Sequence, residues 1–200
     1  MDGFGISLNQ IAEIGIVVCS LLYLGLIACE RRAGWWFGVI ASLASVWLFI
    51  RVNLLAESLL YVYYVIVGVY GFFHWKYGGD GDRALPVTTR SWGFHLTVLV
   101  CGTILVVATA RGLAFLGSER VYLDATTTVF SVITTWMVAR KILENWIYWI
   151  VIDALSVWLY LERSLPIYAV LMGVYTVLAA VGFWVWKRRL GFTGGKEAAP

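Results

Sequence analysis

The sequence predicts an all-α membrane protein of seven transmembrane helices, arranged as two parallel three-helix repeats joined by a fourth helix. Three observations predict it. Of 200 residues, 61% are hydrophobic and 14% charged, with a mean hydropathy of +0.82 and 11 tryptophans. A water-soluble domain of this length cannot bury so much apolar surface, so lipid must solvate most of it. The apolar residues fall in seven runs, and the chain repeats itself at a spacing of 111 residues.

The runs cover about 9–29, 35–50, 58–75, 92–110, 121–139, 145–161 and 165–186. A helix needs roughly 17–25 residues to cross a hydrocarbon core of about 30 Å. The first run follows no basic region and leads to no small-residue cleavage site, so it is expected to be retained as a helix. The second and sixth are short, which places their ends in the interface or inside protein. The third is rich in tyrosine and the fifth in threonine; those threonines are expected to bond between helices. The fourth has no partner in the repeat and serves as the linker. The seventh ends in Trp186 and a basic cluster, after which 190–200 is expected to be a disordered tail. Residues 1–200 thus form a single integral membrane domain, with repeat one at about 9–76, linker helix at about 92–110 and repeat two at about 121–187.

The repeat aligns 31–76 with 142–187 without a gap. Trp35 meets Trp146, and Ser45-Val46-Trp47-Leu48 meets Ser156-Val157-Trp158-Leu159. Leu54, Leu60 and Tyr64 meet Leu165, Leu171 and Tyr175, while Gly71-Phe72 and Trp75-Lys76 meet Gly182-Phe183 and Trp186-Lys187. These twelve identities span two helices and their loop. Because an odd helix separates them, the second unit returns to the membrane in the orientation of the first, as in parallel-repeat transporters. Symmetry is lost at polar positions: Gly38 lies opposite Trp149, Ser42 opposite Asp153 and Glu57 opposite Tyr168. A site for one asymmetric molecule demands such divergence; a purely structural repeat does not.

Asp153 lies near the middle of the sixth run. A carboxylate there costs at least about 2.5–3.5 kcal/mol on insertion scales, so it must face protein or a wet cavity. At 100° per residue Trp146, Trp149, Asp153, Ser156 and Tyr160 share an arc of about 80°. Two indoles beside a carboxylate describe a cage for a flat, positively charged heteroaromatic molecule. In the third run Glu57, Tyr61, Tyr64 and Gly68 follow a spacing that places all four on one stripe. The remaining aromatic and imidazole groups near helix ends, Trp75, Trp186, His74 and His95, are expected to anchor the interface. Cys19, Cys29 and Cys101 lack metal or redox spacing and are expected to be small core residues, with no disulfide.

Enzyme chemistry finds no support. With only two histidines there is no HExxH, no Ser–His pairing and no phosphate-cradling loop, so no catalytic residue, metal or cofactor is expected. The basic tail "WKRRLGFTGGK" reads as a topology determinant rather than a nucleic-acid patch.

The runs "RKILENWIYWIVIDALSVWLY", "ERRAGWWFGVIASLASVWLF" and "ESLLYVYYVIVGVYGFFHW" resemble the PnuC family of bacterial vitamin transporters. The resemblance covers nearly the whole chain, and ENWxxW followed by Asp or Asn is its most specific part. It implies a seven-helix 3+1+3 fold similar to the SWEET-type sugar transporters, a homotrimer, and a location in the bacterial inner membrane. It also implies uptake of unphosphorylated nicotinamide riboside for NAD biosynthesis, by facilitated diffusion with trapping by cytosolic phosphorylation. The family's binding residues map onto Asn145, Trp146, Trp149 and Asp153. On the third helix Tyr61 and Gly68 stand where nicotinamide riboside members carry Gln and Asn. Related members transport thiamine or riboflavin; thiamine, also a flat cation, suits the Asp153 cage better than neutral riboflavin. The reading is therefore a transporter of nicotinamide riboside, with thiamine as the alternative. The rival from another class is a membrane scaffold in which Asp153 pairs with a basic residue on a neighbouring helix.

Of the 15 Lys and Arg residues, Arg51, Arg111, Arg120 and Arg163 fall on one side and the other eleven on the opposite side. The positive-inside rule then places the N-terminus outside and the C-terminus in the cytoplasm. A reporter fused after Pro200 is expected to be active in the cytoplasm, and one between Arg111 and Arg120 outside; the reverse pattern would invert the assignment.

Overall fold

The computed structural model describes residues 8–51, 55–79, 81, 83–115, 121–162 and 164–194. Seven helices follow in chain order: α1 (Leu8–Ala28), α2 (Gly34–Arg51), α3 (Leu55–Tyr77), α4 (Trp92–Phe115), α5 (Val121–Ala139), α6 (Asn145–Glu162) and α7 (Pro166–Gly194). α4 and α7 run past the ends of their apolar runs, α7 through its basic cluster. Residues 195–200 of the expected tail lie outside the described residues.

Among the described residues six helices are long and apolar enough to cross a bilayer, and α6 falls just outside that group. The sequence reading marks this run as short, with its ends in the interface or inside protein. Its 18 residues include Asn145, Asp153 and Glu162 together with three tryptophans and two tyrosines. The structure accommodates this composition by turning one face inward. Asn145, Trp146, Asp153 and Ser156 are buried, whereas Ile147, Val151, Trp158 and Leu161 are exposed. Similar apolar side chains cover the outer surface of the other helices, among them Ile14, Leu59, Ile66, Ile104, Val177 and Trp184. Such a surface requires lipid rather than water.

The chain divides into two compact units, residues 1–84 and 85–200. In the first, α2 packs against both α1 and α3; in the second, α4 packs on α5, α5 on α6 and α6 on α7. The linker helix thus belongs to the second unit, where Val106 and Ala110 meet Ala125 and Val129, and Phe130 lies across Gly102.

The repeat is written into the element boundaries. Ala28 and Ala139, Gly34 and Asn145, Arg51 and Glu162, and Leu55 and Pro166 are equivalent helix ends, each pair 111 residues apart. The turn after α1 closes with Glu30 N–H donating to Ile27 O (2.9 Å) and Arg31 N–H to Leu26 O (2.7 Å). Its counterpart after α5 closes with Lys141 N–H to Val138 O and Ile142 N–H to Met137 O, both 3.0 Å. Glu30 (φ 55°) and Lys141 (φ 49°) take the left-handed conformation without being glycine. That strain costs about 1–3 kcal/mol, and the paired bonds that end each helix offset it. Ser164 (φ 57°) does the same after α6, with Pro166 opening α7 where a missing N–H does no harm.

Each unit closes around a tryptophan seated on a glycine. A Cβ on Gly71 would stand 2.6 Å from the Trp35 ring, and one on Gly182 would stand 2.7 Å from the Trp146 ring. Trp75 meets Trp35 edge-on at 5.5 Å, and Trp186 meets Trp146 edge-on at 5.3 Å. Trp75 and Trp186 are 2% and 0% exposed. Their expected role as interfacial anchors is therefore corrected: they are the centres of the two units. Sequence position places a tryptophan near a helix end, but packing decides whether it turns toward lipid or inward. The cysteines depart in the other direction, for Cys29 and Cys101 are exposed rather than in the core.

The seam makes a stability prediction. Gly182→Ala and Gly71→Ala must separate their helix pairs, and overpacking of this kind costs about 1–3 kcal/mol. Gly25 has nothing within 4 Å of its Cβ position, so Gly25→Ala is expected to leave stability unchanged or raise it. Thermal unfolding in detergent should show a lowered midpoint for the first two variants only.

Candidate functional site

The inward face of α6 is built one turn at a time. Ser156 turns its hydroxyl back onto Ile152 O (2.9 Å), as Ser45 does onto Ala41 O (2.9 Å) in the first unit. Both serines are satisfied within their own helices and contribute no free polar group. Asp153, one turn earlier, is 5% exposed. Among the described residues of its unit, no side chain forms an ion pair or hydrogen bond with its carboxylate. Its equivalent Ser42 is also buried, so the repeat has exchanged a hydroxyl for a carboxylate at a fixed inward position.

The two tryptophans of the expected cage separate. Trp146 is completely buried, with one surface on Gly182 and its edge contact to Trp186, as Trp35 is in the first unit. The structure gives it a packing role. Trp149 is half-buried, and among the described residues of its unit no ring pairs with it. It lies one turn before Asp153 on the same face, which leaves one indole and one carboxylate together. Asn145 is completely buried at the start of α6; its amide donates to Ile142 O, and its Oδ1 has no partner among the described residues. Asn145 therefore secures the turn into α6.

The expected stripe on α3 also divides. Glu57 is exposed in the first turn. Tyr61 and Tyr64 are half-buried in an aromatic cluster, Tyr61 lying 5.3 Å from Phe49 and 5.5 Å from Tyr64. Gly68 is buried where a Cβ would stand 2.7 Å from Val39 Cγ2, making it a close-approach point between α2 and α3. The threonines of α5 are corrected as well. Thr126, Thr127 and Thr135 donate to carbonyls of their own helix rather than to neighbouring helices.

A polar network that sequence reasoning missed holds the start of α6. His95 Nδ1 lies 3.0 Å from the Tyr148 hydroxyl and Nε2 lies 3.9 Å from Glu144 Oε1, which also accepts from Arg90 N–H at 3.2 Å. Alongside it, Thr88 N–H donates to Lys141 O (2.9 Å), and Leu143 N–H donates to Thr88 O (2.8 Å). The connector before α4 is thereby stitched to the turn before α6. His95 is thus part of a tertiary lock and not the interfacial anchor expected; its partners lie 49 and 53 residues away, beyond any local pattern.

Comparison with known proteins follows the same outline. The sequence model of a family described as nicotinamide mononucleotide transporter matches residues 10–188. A curated relative, the nicotinamide riboside transporter PnuC of Haemophilus influenzae, is 25% identical over 189 residues, covering 90% of this chain and 79% of the relative. The PnuC protein of Escherichia coli is 23% identical over 208 residues, covering 91% and 87%. A solved structure described as the Vitamin B3 transporter PnuC aligns with a TM-score of 0.72 at 20% identity, covering 91% of this chain and 83% of that one, and so shares its fold. Seven helices, the apolar exterior and a family match across nearly the whole chain lead to one conclusion: this protein belongs to the nicotinamide mononucleotide transporter family of multi-pass membrane transporters.

Proposed function

We propose that the protein takes up nicotinamide riboside across the bacterial inner membrane by facilitated diffusion, with cytosolic phosphorylation trapping the product. The observation that carries this reading is Asp153, a buried carboxylate in a membrane helix with no cationic partner among the described residues of its unit. Such a group is retained against a cost of at least about 2.5–3.5 kcal/mol. A cationic ring above Trp149 supplies the missing charge and a flat surface for the indole. The family description names the mononucleotide, whereas the two curated relatives are named for the riboside. The charge of the site favours the riboside. In the second unit the basic residues of α4 and α7 stand toward helix ends, and among its described residues no Lys or Arg pairs with Asp153. Thiamine is the second reading, favoured by its own flat cationic ring, which suits the pair of Trp149 and Asp153 equally. The N-out, C-in orientation and a trimeric assembly complete the proposal.

Binding of nicotinamide riboside, thiamine and riboflavin to purified protein tests the substrate. Asp153→Asn keeps size and hydrogen bonding but removes the charge, and is expected to weaken binding by about 1–3 kcal/mol, or roughly five- to 150-fold. Trp149→Ala should weaken it at least as much, while Trp92→Ala, at an 89% exposed position, should not. If Asp153→Asn binds all three compounds normally and instead loses its assembly, the carboxylate is a structural contact and the scaffold reading gains. Counterflow in liposomes should proceed with no pH or sodium gradient; strict dependence on either would exclude facilitated diffusion.

A further inference from the structure

The two units resolve the contact between their first and middle repeat helices in opposite ways. In the first unit the ring comes from α1. Tyr23 lies over Gly38, where a Cβ would stand 2.8 Å from Tyr23 Cδ2 and 3.1 Å from its Cε2, and Tyr23 meets Trp35 edge-on at 5.7 Å. The shift of 111 carries this pair onto Thr134 and Trp149. Large and small have changed places: α5 supplies the small residue and α6 the ring. The joining turns close with equivalent bonds and Trp35 and Trp146 sit in equivalent seams, while α5 packs less extensively on α6 than α1 does on α2. The aligned repeats thus put Trp149 and Thr134 on the two sides of the space that corresponds to the one the Tyr23 ring fills in the first unit. That space cannot hold two rings at interior packing density.

An independent observation concerns the hydroxyl of Thr134. Its neighbours Thr126, Thr127 and Thr135 satisfy theirs on backbone carbonyls one turn back. Thr134 is completely buried, and its Oγ1 has no partner among the described residues. A buried hydroxyl left unpaired is destabilising, and alanine or valine fills such a position without that penalty.

We propose that Thr134 is a positioning residue of the substrate site: its small side chain leaves the space from which Trp149 presents its ring beside Asp153, and its hydroxyl faces that space. The proposal rests on the transport reading above and deepens it. Moving the ring from the outer to the middle helix puts indole and carboxylate one turn apart on a single rigid element. A flat cation then meets both in fixed geometry. The first unit, with its ring on α1 and Ser42 in place of the carboxylate, presents neither.

The test is a rescue experiment, read by thermal unfolding and by binding of nicotinamide riboside and thiamine. Thr134→Tyr restores the ring found in the first unit, and is expected to lower the unfolding midpoint and weaken binding by about ten-fold or more. Trp149→Gly empties the space and should also lower the midpoint. The double variant rebuilds the Tyr23–Gly38 pair and should recover the midpoint above either single variant, yet remain unable to bind. Thr134→Val, which keeps the size and removes the hydroxyl, should unfold no earlier than wild type and bind about three- to ten-fold more weakly. Additive losses in the double variant, or normal binding by Thr134→Tyr, would overturn the proposal. If Thr134→Tyr does not fold, folding of the double variant supports the shared space and its failure overturns it. Wild-type protein that binds neither compound, with the rescue intact, overturns the transport reading and leaves the shared space supported.

Discussion

Everything in the two units depends on the contact between a tryptophan face and a glycine on the neighbouring helix. Membrane helices gain nothing from leaving water, so their association relies on close van der Waals fit. Gly71 and Gly182 allow α3 and α7 to approach Trp35 and Trp146 until the ring lies directly on the backbone. Trp75 and Trp186 then close the edge of each ring. This contact sets the register of the middle helix in each unit. The register in turn determines which face of α6 is inward, and hence that Asp153 is buried rather than in lipid.

The two units carry different groups at one inward position. Ser42 and Asp153 are both buried at equivalent places, so the units differ there in charge within the same helical framework. The turns that end α1 and α5 keep the same hydrogen bonds and the same left-handed residue despite bearing Glu30 in one and Lys141 in the other. The seam of tryptophan on glycine is common to both units, while other equivalent positions differ in size and polarity. The second unit additionally has the lock of His95, Tyr148 and Glu144 at the start of α6. The helix that carries the charge is therefore also fastened at its origin.

The burial of Asp153 was legible because a carboxylate in contact with lipid is so costly that it must turn toward protein or water. Asp153 stood out from its place in an apolar run, and the repeat set it opposite Ser42, a polar residue without charge. The swap of Tyr23 with Gly38 for Thr134 with Trp149 was also present in the aligned sequences, but its meaning required the measured contact between the first two. The aromatic residues were less legible. Trp146 and Trp149 lie three residues apart on one helical face, and no periodicity distinguishes a ring seated on glycine from one left half-buried.

The sequence by itself determined the number of helices, the lipid environment, the duplication and the one carboxylate that lipid cannot accept. These follow from hydropathy, length and self-similarity, which are local or pairwise properties of the chain. Only the tertiary structure decided that Trp75 and Trp186 are core, that Gly68 is a contact with Val39 and that His95 joins Glu144 and Tyr148. A residue's depth along a helix can be read from its place in an apolar run. The direction it faces depends on which neighbouring helix arrives, and at what distance, and that is set by close packing between segments far apart in sequence.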